Sequence, residues 1–346
     1  MPKRYIGDTS SLLCAVFFTK NRARNLVYKK KNVILRAKIY RNIGYPMIIV
    51  PKNLPLVDRM KAEGIRVCDE IPEGCERPLR ILILNLMPDK PSAEMELYHA
   101  LDATTDRNVV ITLAKMSNMY YRSTSQEYMD TFYEDVADIM ERDEPFDGLL
   151  VNGAPFGHLE YEQVIYWHQL CVFFRWVDRR IPAHLYICWG AFARIFYNWG
   201  VRFVRIGFQW SGVYPHRILC KDYPIVDAGK EEMLIPVSRP CYLSHTELSG
   251  FKDLTIVAES PVTGPAVFVS EKRHQVFNIS HSEYEASRLD FEYRRDTKAG
   301  LNPMIPYNYY EDDDPSKSFQ ATWHEDRDVL FRGWLENFVY KYEKKQ

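Results

Sequence analysis

Short apolar runs alternate along most of this chain with longer amphipathic stretches, and that alternation restricts it to an α/β architecture. Ile81–Leu86 (ILILNL), Val109–Leu113, Gly148–Val151 and Leu185–Cys188 are brief and largely apolar, as strands buried on both faces of a parallel sheet must be. Helical segments lie between them. Within 160–180, Val164, Trp167, Cys171, Phe174 and Val177 fall at spacings of three and four, which predicts one apolar stripe facing the sheet. Thr255–Ala258, Ala266–Val269 and Gln275–Ile279 have antiparallel spacing with short turns. The expected sum is a mixed, mainly parallel sheet with helices on both faces. The Tyr- and Asp-rich stretch Pro306–Pro315 predicts a surface loop before a last amphipathic helix from about Asp328 to Tyr342.

With 346 residues and 46% hydrophobic content, the chain has ample material for a sizeable core. Its net charge of −1 is unevenly spread: residues 1–46 hold eleven of the 45 Lys and Arg and one of the 46 acids, Asp8, leaving 34 bases against 45 acids in the rest. A body that acidic argues against nucleic-acid binding. Residues 1–46 lack sustained periodicity and are expected to be a peripheral or disordered extension, with a catalytic domain over 47–346. Seven cysteines, odd in number and without a CxxC pair, suggest neither a disulfide framework nor a zinc site, and fit a reducing cytoplasm. No apolar run approaches the roughly 18 to 20 residues that cross a bilayer, so no membrane partner is expected.

The chemistry is concentrated in three segments. In HLYICWGAFARIFYNW (184–199) an apolar strand delivers Cys188 into the start of a helix, where free N–H groups and the helix dipole favour a thiolate. The same turn aims the N–H of Trp189 at an oxyanion formed on that sulfur. In QVFNISHSEY (275–284) a strand ends at His281 with Glu283 two positions on, sharing a face in extended chain, so the carboxylate can orient the imidazole as a base. In FDGLLVNGAPFGHLEY (146–161) a strand runs into a loop containing Gly153 and Gly157, which can supply a second oxyanion donor, taken as Gly157, and one wall of an acyl pocket.

Taken in order, ILILNLMPDK, FDGLLVNGAPFG, YICWGAFA, SGVY, HSEYE, RRDTKAGLNP and PYNYYEDDDP resemble the homoserine O-succinyltransferase family from about Met47 onward. The resemblance implies a class I glutamine-amidotransferase-like, flavodoxin-like sandwich. It implies Cys188 as the acylated thiol, His281 as proton acceptor and Glu283 as its partner. It further implies Arg295 as the grip on an amino-acid carboxylate, Glu292 one turn before it, Lys90 at the mouth of the site and Ser238 as an influence on substrate choice. Gly157 stands where family members using succinyl-CoA have glycine and those using acetyl-CoA have glutamate. Five positions depart from the family's usual pattern: Gln209 stands in place of a lysine, Val237 of a histidine, Pro240 of an aromatic, Phe192 of a glutamine and Ser282 of the proline in HPEY.

The expected reaction is ping-pong succinyl transfer from succinyl-CoA to the hydroxyl of L-homoserine, a step of methionine biosynthesis, with no metal and no bound cofactor. The alternatives are the same chemistry on serine or with acetyl-CoA, a glutaminase, and an inactive paralogue. The family also implies a homodimer, and the cysteine usage a cytoplasmic one.

Overall fold

The computed structural model describes residues 47–343 apart from 74, 76, 105, 106 and 143, and the expectation for residues 1–46 lies outside the described residues. The strands, in chain order, are β1 (Ile48–Ile49), β2 (Val67–Cys68), β3 (Leu79–Leu84), β4 (Val109–Lys115), β5 (Glu134–Asp135), β6 (Gly148–Val151), β7 (His184–Ile187), β8 (Val204–Ile218), β9 (Glu232–Tyr242), β10 (Thr255–Ser260), β11 (Gly264–Ser270) and β12 (Gln275–Asn278). They form one sheet in the order 2-1-4-3-6-7-12-11-10-8-9, with β5 paired to β4 off that path. The run from β4 through β3, β6 and β7 to β12 is parallel. Beyond β12 every pairing is antiparallel, ending in the long β8–β9 hairpin.

Alternate residues of the parallel strands feed two separate cores, which is how a strand buried on both faces must behave. Ile81, Ile83, Ile111, Leu113, Leu185 and Ile187 join Met95, Leu97 and Leu101 of α1 (Lys90–Asp102) on one face. Leu82, Leu84, Leu149, Val151, Tyr186 and Phe277 join α2 (Trp167–Arg180) and α3 (Trp189–Trp199) on the other. The first face also takes α5 (His324–Trp334), which packs Leu330, Phe331 and Trp334 there; it follows α4 (Arg288–Lys298) in the chain. The mixed, mainly parallel sheet covered on both faces is the architecture expected.

Details of the helical reading differ. α2 starts at Trp167, after a short 3₁₀ turn at Tyr161–Gln163, and buries Leu170, Phe173, Phe174 and Val177, while Cys171 is half-exposed. The stripe is therefore rotated from the expected one. Two adjacent phenylalanines both point inward, and the expected spacing took only one of them. The last helical segment begins at His324, earlier than expected. The β8–β9 hairpin carries no strand expectation from sequence, because its β8 half is largely exposed over Val204–Gln209 and so shows no apolar run.

Candidate active site

Parallel strands β6, β7 and β12 end side by side, and each releases one of the three segments that carry the chemistry. Cys188 follows β7 directly. Its amide donates to Asn278 O at 2.8 Å, and its own carbonyl accepts from Ala191 and Phe192 at 3.0 Å, so the residue belongs to strand pairing on one side and helix α3 on the other. That double duty forces φ 48°, ψ −124°, a conformation a β-carbon resists. The side chain held this way is partly buried where the two cores meet, and it lines the cavity at the sheet edge. Gly190 permits the turn: a β-carbon there would lie 2.6 Å from Asn152 O.

His281 follows β12 through a turn fixed by buried hydrogen bonds. Asn278 Oδ1 accepts from the Ser280 amide at 2.9 Å, Asn278 Nδ2 donates to Ser282 Oγ at 2.7 Å, and the His281 amide donates to Pro236 O of β9 at 2.9 Å. Glu283 Oε1 lies 2.7 Å from His281 Nδ1, with both side chains buried, which leaves Nε2 for Cys188, the imidazole's hydrogen-bonding partner on the other side. Burial opposes a charge on the ring, but Cys188 and then Glu283 outweigh it and hold the imidazole protonated well above the usual histidine range. Tyr284 stacks on the ring at 4.1 Å, fixing its plane.

Around this pair lies a cavity of about 490 Å³, lined by eight of the residues singled out from sequence: Gly157, Cys188, Trp189, Gln209, Ser238, His281, Glu292 and Arg295. Four of its wall residues form a relay. Gln209 Nε2 donates to Ser238 Oγ at 2.8 Å, Ser238 donates to Glu292 Oε2 at 2.7 Å, and Tyr284 donates to Glu292 Oε1 at 2.9 Å. Arg295 is half-exposed at this wall, and its Nε donates to Asp296 at 2.7 Å.

Two placements correct the sequence reading. Lys90 is not at the mouth: it is 2% exposed, and its ammonium donates to Asn85 O at 2.6 Å and Met87 O at 2.7 Å, bracing from beneath the loop whose residues Met87, Pro88 and Asp89 line the cavity. Burial pushes its pKa down to about 7, with Glu94 opposing. Gly157 is not the glycine beside the sulfur. A β-carbon at Gly157 would meet the Pro240 ring at 3.2 Å and Cys241 Sγ at 3.7 Å, whereas one at Gly153 would lie 2.9 Å from Cys188 Cβ and 3.2 Å from its Sγ. The loop thus approaches the thiol at its Gly153 end and forms the cavity wall at its Gly157 end.

Of the departures noted above, Gln209, Pro240 and Phe192 line the cavity, but Val237 is fully buried and does not. Sequence reasoning missed Tyr284, Arg239 and Arg288. Arg239 is 2% exposed, with Nη2 donating to Thr263 O at 3.0 Å, and burial lowers its pKa to about 10. The signal for Tyr284 and Arg288 was the helical spacing of Arg288, Phe291, Glu292 and Arg295, which puts all four on one face of α4 and extends the site toward residues just before it.

A thiol on a strained strand-to-helix turn, with a carboxylate-held imidazole beside it in a partly open cavity, gives this α/β protein a site suited to nucleophilic chemistry. The chain belongs to the homoserine O-succinyltransferase family, whose family model matches residues 47–345, and it is an acyltransferase. A homoserine O-acetyltransferase of Methanomethylophilus alvi is 35% identical over 296 residues, 85% of this chain and 95% of that protein. A homoserine O-succinyltransferase of Shewanella amazonensis is 34% identical over 294 residues, 84% and 92% respectively. Among solved structures, a glutamine amidotransferase from Thermotoga maritima is 14% identical with a TM-score of 0.48, covering 76% of this chain and 99% of that one. Among the described residues no helix is long and apolar enough to cross a membrane.

Proposed function

We propose that this chain transfers a succinyl group from succinyl-CoA to the hydroxyl of L-homoserine through a thioester on Cys188. The observation that carries the reading is the Cys188–His281–Glu283 line, with its buried 2.7 Å contact between carboxylate and imidazole, at the floor of a cavity large enough for an acyl group and an amino acid. The thiolate attacks the donor's thioester carbonyl. The oxyanion faces the first N–H groups of α3, Trp189 foremost, with the Gly153 end of the opposing loop on its other side. CoA departs with the proton from His281. The neutral imidazole then takes the proton of the acceptor hydroxyl as that oxygen attacks the acyl-enzyme, and Glu283 stabilises the imidazolium that results.

The glycine in the cavity wall supports succinyl-CoA as the donor, where the similar relatives include proteins named for both acetyl and succinyl transfer. At Gly157 a β-carbon alone would press on Pro240, so a glutamate there would crowd the wall and place a like charge beside a succinyl carboxylate; glycine does neither. For the acceptor, Glu292 and Arg295 offer opposite charges one helical turn apart, matching the ammonium and carboxylate of an amino acid. Gln209 supplies an uncharged amide to that shell, and serine is the second reading it favours. The protein acts in the cytoplasm as a homodimer on these two small molecules, without a bound cofactor.

Incubation with isotope-labelled succinyl-CoA, followed by mass measurement of the Cys188 peptide, tests the reading. A gain of one succinyl group on that peptide, discharged faster by homoserine than by serine, is expected. Cys188→Ala should abolish transfer, a loss of about 10⁴-fold or more, with the fold retained; turnover in that variant would overturn the nucleophile.

A further inference from the structure

Arg288 opens α4 and lines the cavity, yet it has no place in the mechanism above. Its side chain is 10% exposed, and its Nε lies 3.5 Å from Glu96 Oε1 and 3.5 Å from Glu292 Oε1 without a hydrogen bond to either. The guanidinium sits 5.4 Å from the ring centre of Tyr284, the ring stacked on His281. Glu96 comes from α1, and its side chain is 7% exposed. The charged groups that face it are Arg288 and Glu292 from α4 and His281 and Glu283 from the loop after β12. Burial raises its pKa to about 8. Carboxylates from three segments, Glu283 on the imidazole, Glu292 on the Tyr284 hydroxyl and Glu96 beside Arg288, therefore gather about the His281–Tyr284 stack.

That arrangement has opposite consequences in the two halves of the reaction. While Cys188 is a thiolate, carboxylates near His281 reinforce the imidazolium the thiolate needs. Once the sulfur is acylated its charge is gone, and His281 must be neutral to accept the hydroxyl proton. Glu283, with Glu96 whenever it ionises, holds the ring's proton and so delays this step; a cation close by works against them.

Building on the acyl-transfer reading, we propose that Arg288, tied to α1 through Glu96, is a positioning residue that steadies Tyr284 against the imidazole and keeps His281 able to act as a base in the acyl-enzyme. The cost of burying its charge is met by Glu96 and Glu292.

The test uses the full chain loaded with labelled succinyl-CoA, then mixed with homoserine across a pH series in single turnovers. Arg288→Met should move the acid limb of the transfer step to higher pH by about half to one unit and slow transfer on that limb about three- to tenfold. Arg288→Lys, which keeps the charge, should leave the limb near that of the unchanged protein. Glu96→Gln combined with Arg288→Met should bring the limb part of the way back, as a coupled pair requires. A limb in Arg288→Met that coincides with that of the unchanged protein, or an equal displacement in Arg288→Lys, would overturn the proposal. Loading of Cys188, read separately by mass, keeps the two ideas apart: failure of the unchanged protein to load refutes acyl transfer itself, while normal loading with an unmoved limb refutes only the role of Arg288.

Discussion

The cavity has two halves built on different principles. The floor, where Cys188, Trp189, Gly153 and His281 meet, is fixed by backbone: strand register, a strained turn, and glycines that let main chain pass within contact of the sulfur. The wall formed by the β8–β9 hairpin and α4 is fixed by side chains, through the Gln209–Ser238–Glu292–Tyr284 relay. The difference teaches that the half that makes the thioester tolerates almost no change in geometry. The half that meets the acceptor can exchange one polar group for another and still close its hydrogen bonds.

If that contrast holds, the largest effect after loss of the thiol itself comes from a single methyl group in the floor. Gly153→Ala puts a β-carbon 2.9 Å from Cys188 Cβ, a distance that forces the loop and the nucleophile apart. Transfer should fall about a hundredfold or more, as for loss of oxyanion geometry, with stability lowered by about 1–3 kcal/mol for the overpacking. Steady-state kinetics together with denaturant unfolding separate the two. A variant with ordinary turnover would show that the floor is not rigid.

Glu283→Gln asks whether the floor also depends on charge. The carboxylate stabilises the imidazolium, so its removal lowers the pKa of His281, and the base is active when neutral. The acid limb of transfer should therefore move to lower pH, while the rate on the plateau drops about a hundredfold because the ring loses its orienting partner. A pH profile of single-turnover transfer reads both, and a limb displaced upward contradicts the assignment. In the wall, by contrast, Ser238→Ala should raise the KM for the acceptor about tenfold, through one lost hydrogen bond to a carboxylate, and leave loading of Cys188 by the donor intact. Equal damage to both half-reactions would erase the distinction between floor and wall.

The same division explains what the sequence made legible. Strand ends in a parallel sheet gather at one edge whatever the side chains, so a cysteine, a histidine and a glycine loop at three strand ends could be brought together from pattern alone. Glu283 was legible because i and i+2 share a face. Gln209 and Ser238 entered only through family resemblance, since β8 is too exposed to show a strand's apolar run and the relay joins residues 29 and 54 positions apart. Val237, though altered like Gln209, does not line the cavity, because resemblance reports position in a motif and not what the side chain packs against. Glycine spacing could not say which of Gly153 and Gly157 touches the sulfur, for that depends on the path of the loop. Lys90 went astray for a related reason: resemblance placed it at the mouth, and only the carbonyls of Asn85 and Met87 account for its burial.

Lys90 provides the smallest test, of whether the braced loop belongs with the floor. Its ammonium is buried with a folded-state pKa of about 7 against 10.5 when exposed. Between those values the unfolded chain binds a proton that the folded protein has released, so this group makes stability rise with pH across that window and contributes no such slope below it. Lys90→Met removes the titration. The difference in unfolding free energy, unchanged protein minus variant, should grow by about 1–2 kcal/mol from pH 7 to pH 9, measured by denaturant unfolding at both. If the two proteins show parallel pH dependence, Lys90 is solvated in solution, the loop over it is open, and the Met87–Asp89 side of the cavity behaves like the wall rather than the floor.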